Sequence, residues 1–125
     1  MSDPRFTCPC CGHRTLSGPP GSYEICEVCF WEDDGVQLLD PAYRGGANGP
    51  SLMECQANFA RVGACEERFI GDVRAPRTME SRDAEWRPAR ESDLRWSRVP
   101  RDLSAEECQL SPEGSHWFSR DRLPL

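Results

Sequence analysis

The chain has no lysine: all fifteen of its basic residues are arginine, and only two histidines occur in its 125 residues. Lysine nucleophiles and Schiff-base chemistry are therefore excluded in this chain, and groups able to act as general bases near neutral pH are scarce. The motifs G-x-x-x-x-G-K-[ST], G-x-G-x-x-G, G-x-S-x-G and H-E-x-x-H are also missing, so no phosphate cradle, nucleophile elbow or metalloprotease helix is legible. These gaps weigh against an enzyme. No apolar stretch approaches the roughly 18 residues of a membrane span. No apolar run follows a basic start at Met1-Ser2-Asp3-Pro4-Arg5-Phe6, which predicts no secretory signal and a cytoplasmic location. Hydrophobic residues make up only 38%, against eleven prolines and ten glycines. Short elements, much irregular chain and a small core follow, and such a core needs a metal, disulfides or a partner to supplement it.

Eight cysteines are what the chain has in abundance. In a reducing compartment, paired cysteines point to metal ligation and away from disulfides. The first pair sits in Cys8-Pro9-Cys10-Cys11-Gly12 and the second in Cys26-Glu27-Val28-Cys29, with fourteen residues between Cys11 and Cys26. Two sulfurs separated by two residues let a tight turn aim both at one ion, and Gly12 lets the backbone turn without a Cβ clash. Four soft ligands suit one tetrahedral zinc ion, which then has no open position and is structural, not catalytic. The predicted ligands are Cys8, Cys11, Cys26 and Cys29, holding one Zn2+ per chain. Iron also accepts four thiolates; a thioredoxin-like redox pair would need a βαβ pattern, which is missing here. Cys10 cannot join the same tetrahedron and is left as a spare thiol or as an alternative ligand paired with a different partner. Cys55, Cys65 and Cys108 read as small buried apolar residues, and His13 as a side chain beside the metal site.

Along the chain, residues 5–31 are expected to form a β-hairpin carrying both knuckles, with a turn through Leu16–Ser22 and a strand through Tyr23, Ile25 and Val28. Residues 32–50 read as loop, because Asp33-Asp34-Gly35, Asp40-Pro41 and the run Gly45–Pro50 are turn formers. Ser51 and Glu54 form a capping box that opens a helix. Leu52, Cys55, Phe59 and Val62 supply its apolar stripe, and Gly63 ends it. A second short helix is expected to begin near Glu66 and Glu67, with Phe69 and Ile70 facing inward. From Ala75 onward arginine, acid and proline alternate around isolated tryptophans. A second capping box at Ser104–Glu107 predicts a helix ending near Leu110, and His116-Trp117-Phe118 form a late apolar cluster.

Charge is unevenly spread. Residues 1–73 carry five arginines against eleven acids, whereas residues 74–125 carry ten of each. A nucleic-acid binder presents a basic face, so the default reading is against DNA or RNA. The run Glu32-Asp33-Asp34, with Asp40 nearby, lacks the spacing of a calcium loop and reads as a turn with solvated charges. Phe30 and Trp31 are expected to cover the metal site and meet the capped helix, the alternative being an exposed aromatic patch.

The residues Cys8–Gly12, Pro20–Asp34 and Arg44–Asn48, continuing through Ser51-Leu52, Asn58-Phe59 and Gly63–Glu66, resemble the bacterial cysteine-rich CPCC family over roughly residues 6–76. The resemblance implies a small cytoplasmic bacterial domain with a knuckle-type metal site, and no particular activity. The segment from Met79 onward lies outside it.

The expected fold is a small α+β domain, residues 1–76, with a zinc-ribbon-like hairpin followed by two short helices. Residues 77–125 form an irregular arginine- and proline-rich extension that is either wrapped on the domain or partly disordered. The expected function is a non-catalytic binding or adaptor module engaging a protein partner. Two alternatives stand beside it: a thiol-based enzyme or redox factor using Cys10, and a nucleic-acid-binding ribbon using Arg5, Arg14 and Arg44 with Phe30 and Trp31.

Overall fold

A computed structural model describes residues 5–91 together with Asp93 and Phe118. The elements are β1 (Phe6–Thr7), β2 (Arg14–Leu16), α1 (Gly35–Leu39), α2 (Leu52–Val62) and a 3-10 helix at Glu67–Asp72. β1 and β2 form one antiparallel pair, with Phe6 opposite Leu16 and Thr7 opposite Arg14. The fold is thus a small one with a two-stranded hairpin, a few short helices and a cysteine cluster at its centre.

The hairpin is shorter than the sequence predicts. It brackets the first knuckle alone, and the expected strand over Tyr23–Val28 is not formed; only an isolated bridge joins Ile25 to Glu32. The reason is local. Tyr23 and Phe30 adopt φ of 63° and 72°, a left-handed conformation that interrupts any extended run. Each knuckle instead folds back on itself by the same pair of bonds. Cys8 N–H donates to His13 O at 2.9 Å and Gly12 N–H to Cys8 O at 2.8 Å. Cys26 N–H donates to Trp31 O at 3.0 Å and Phe30 N–H to Cys26 O at 2.6 Å. Gly12 (φ 81°) and Phe30 (φ 72°) occupy equivalent positions, the second without glycine's freedom. The Phe30 ring lies 4.6 Å from that of Phe69, a contact that offsets the strain.

Residues 32–50 are not loop throughout, because α1 interrupts them. Asp34 caps it, its Oδ1 accepting from Val36 N–H at 2.8 Å. Five residues are too few to display a helical period. Behind α1, Gln37 is fully buried. Its amide donates to the carbonyls of Tyr43, Asn48 and Pro50 at 3.0, 3.1 and 3.0 Å, and its oxygen accepts from Asn48 Nδ2 at 2.9 Å. Asn48 in turn pairs with the backbone of Glu32 on both sides, at 2.9 and 2.8 Å. The Gly-rich loop is therefore organised by two amide side chains.

α2 begins and ends where its capping residues predict: the Ser51–Glu54 box closes in both directions, and Gly63 takes φ 81° as the C-cap. Leu52 and Cys55 are buried in the core with Trp31, Leu16, Leu38 and Leu39, and Phe59 packs at its edge. The second helix is a 3-10 turn in which Phe69 meets the core but Ile70 is 47% exposed. With three residues per turn, adjacent side chains diverge too far for both to face inward. Cys55 and Cys65 are fully buried, as expected of small apolar residues. The expected helix over 104–110, Cys108 and the residues His116-Trp117 lie outside the described residues; Phe118 joins the core. No helix among the described residues is long and apolar enough to cross a membrane.

Candidate metal centre

The two knuckles bring Cys8, Cys11, Cys26 and Cys29 together. Their four Sγ atoms lie within 4.8 Å of one another, and all four residues are buried. Cys8 Sγ stands 3.7 Å from Cys29 Sγ and Cys11 Sγ 3.8 Å from Cys26 Sγ. A tetrahedron with metal–sulfur bonds of about 2.3 Å has edges of about 3.8 Å, so the donor set fits a four-thiolate metal. The sulfurs are free thiols, not disulfides. Among the described residues no other group of three or more His, Cys, Asp or Glu side chains has such an arrangement.

The electrostatics agree with the geometry. Burial pushes the thiols of Cys8 and Cys29 well up. Hydrogen bonds from Cys11, Cys29 and Cys8, and from the Thr15 hydroxyl, pull the Cys26 thiol down. Four thiolates in a dry pocket repel one another and lose their hydration. A bound cation supplies the charge that lets all four ionise together.

Around the cluster, Thr15 Oγ1 lies 3.0 Å from Cys26 Sγ. Sequence reasoning missed this residue. No short-range signal marks it: Arg14 is exposed but Thr15 and Leu16 are both buried, so β2 has no alternation that singles Thr15 out. Cys10 is also fully buried, and burial pushes its thiol up to about 11, so at neutral pH it is protonated. His13 does not join the cluster; its Nδ1 lies 2.9 Å from Glu80 O.

The acidic run has structural work of its own. Asp33 Oδ2 accepts from Gly21 N–H, Ser22 N–H and Ser22 Oγ at 2.9, 3.0 and 2.9 Å, tying the turn before the second knuckle. Asp34 Oδ2 accepts from Ala47 N–H at 2.9 Å. Neither carboxylate is a solvated charge, which corrects the sequence reading for these two. Trp31 is fully buried, so it forms no exposed patch. Arg14 faces Asp83 at 3.7 Å and Arg44 faces Glu54 at 3.0 Å.

The residues after the 3-10 helix close over both knuckles. Arg74 N–H donates to Glu27 O at 3.1 Å, and its guanidinium grips Glu80 in a two-bond fork at 2.7 and 2.8 Å.

A model of the family described as Cysteine-rich CPCC matches residues 6–80. Comparison with curated proteins gives no match.

Proposed function

The chain belongs to the cysteine-rich CPCC family, and from that premise we propose that it is a non-catalytic module in which one structural zinc ion fixes a surface for a protein partner. Cys8, Cys11, Cys26 and Cys29 would hold the ion. The observation that carries this reading is the match between the 3.7 and 3.8 Å sulfur separations and the edge of a zinc–thiolate tetrahedron of about 3.8 Å. Complete burial of all four supports a structural role, since a closed four-sulfur site offers no position to a substrate. When bound, zinc supplies charge compensation and cross-links two knuckles that otherwise share only a small core. The pair of back-folded knuckles supports a zinc-ribbon-like description. Residues 1–76 would be the metal-organised unit and residues 77–125 its extension, working in the reducing cytoplasm, where thiols stay available to metal.

Elemental analysis of the purified chain beside Cys8→Ser and Cys26→Ser variants tests the reading. One zinc per chain, lost together with the fold in each variant, is the expected outcome. Iron with a visible absorption band, or a folded chain with no metal, would sink it.

A further inference from the structure

Residues 81–86 run across the outer face of the first knuckle. Two main-chain bonds seat them: Arg14 N–H donates to Ser81 O at 3.0 Å, and Asp83 N–H donates to Gly12 O at 2.8 Å. His13 and Arg82 form an antiparallel bridge between these bonds, so the segment adds to the edge of the hairpin. Two side chains then anchor it. The Asp83 carboxylate accepts from Thr7 Oγ1 at 2.7 Å and faces the Arg14 guanidinium at 3.7 Å. Trp86 lies on Gly12 so closely that a Cβ there would stand 2.6 Å from the indole. The indole N–H donates to Pro9 O at 2.9 Å. Between the anchors the chain turns, with Trp86 N–H donating to Asp83 O at 3.0 Å and Glu85 N–H to Asp83 Oδ1 at 2.9 Å.

The receiving groups and the anchors belong to different parts of the chain. Thr7, Pro9, Gly12 and Arg14 fall inside residues 6–80, which match the family, whereas Asp83 and Trp86 fall beyond them. The receiving face has what a peptide groove needs: main-chain donors and acceptors at a sheet edge, a hydroxyl and a guanidinium for a carboxylate, and a glycine platform with a carbonyl for an indole. The segment itself is slight. Of residues 81–86 only Asp83 is buried, and Trp86 is half-buried.

We propose that this face of the first knuckle is a docking groove for an Asp-x-x-Trp segment of a protein partner, and that residues 81–86 occupy it in cis. The proposal rests on the reading of the chain as a binding module and names the surface and the partner's chemistry. A partner enters by displacing the strap, so binding is gated by a tethered competitor whose effective concentration is on the order of millimolar.

The test uses the full chain carrying Trp86→Ala. The probe is a fluorescein-labelled peptide that keeps only the aspartate and tryptophan of residues 80–87 in a serine–alanine background. Binding to the folded variant, at least about tenfold weaker binding to the unmodified chain, and none by a peptide lacking tryptophan are expected. Equal binding to both chains, or none to the folded variant, overturns the proposal. So does a dimer of the unmodified chain that Trp86→Ala abolishes, since that assigns the groove to a second copy. If Trp86→Ala does not fold, hydrogen exchange on the unmodified chain decides. Exchange of Asp83 N–H well ahead of Cys8 N–H and Cys26 N–H supports a displaceable strap, and exchange together with them overturns it. Metal analysis of the same samples separates the two readings. Loss of peptide binding with zinc retained removes this surface alone, whereas peptide binding by a metal-free chain keeps the surface and removes the zinc-stabilised module.

Discussion

The Thr15 hydroxyl points at the sulfur of Cys26 across 3.0 Å, a hydrogen bond from β2 to the second knuckle. With a metal bound, such a donor would temper the basicity of the ligating thiolate and orient the sulfur. Replacing Thr15 by valine keeps the branched shape and removes the donor. Metal release to a chromogenic chelator is expected to quicken by roughly tenfold, the usual scale for an outer-shell partner, while Thr15→Ser restores the slow rate. Unchanged release in Thr15→Val would show that the contact is only packing.

Cys10 lies between two cluster cysteines in sequence, is fully buried and has its thiol pushed up to about 11. A thiol in that state is a poor nucleophile. Cys10→Ala is therefore expected to retain the metal content of the unmodified chain and to lose no more than about 1–2 kcal/mol of stability for the lost sulfur. A reactive thiol in the native chain, titrated by a disulfide reagent and abolished by Cys10→Ala, would instead revive the thiol-based alternative.

Gln37 is the polar hub under α1, donating to three loop carbonyls and accepting from Asn48. Gln37→Leu fills similar volume but strands those carbonyls without a donor. Each buried orphan costs about 1–3 kcal/mol, so a loss of roughly 3 kcal/mol in denaturant unfolding is expected. A loss below about 1 kcal/mol would mean the Gly-rich loop rearranges freely.

Two carboxyl groups pull stability in opposite directions with pH. Burial raises Asp33 above its ordinary value of 3.8 despite its hydrogen bonds from Ser22 and Gly21, and its Oδ1 is buried with no partner among the described residues. The folded state therefore holds that proton more tightly, and its stabilising share is lost as pH rises from 3.8 through the raised value. The Arg74 fork holds Glu80 down to about 2 from 4.5, a share present above 4.5 and lost as pH falls toward 2. Asp33→Asn is expected to remove the first slope. Glu80→Gln is expected to remove the second, at a cost of roughly 2 kcal/mol at neutral pH once screening at the part-exposed Arg74 is allowed for. Parallel stability–pH curves for all three chains would refute both assignments.

Much of this was legible in the residues themselves. The two C-x2-C pairs, the capping box at Ser51 and Glu54, and the stop at Gly63 are local signals: each depends on groups within a few positions, so spacing suffices to read them. The sequence by itself determined which four sulfurs could meet and where α2 starts and stops. Phe30 illustrates the limit. Gly12 announces the left-handed turn of its knuckle, whereas Phe30 makes the same turn without glycine's freedom, its ring packed on Phe69 far along the chain. The five-residue α1 was likewise invisible, since it is too short to show a period and Gln37 braces it against carbonyls of the loop that follows. Thr15 beside Cys26, Asp33 under the Gly21–Ser22 turn, and Trp86 on Gly12 were all decided by tertiary structure. Such contacts join residues 11 to 74 positions apart, and a short-range pattern carries no information about which distant groups the folded chain will press together.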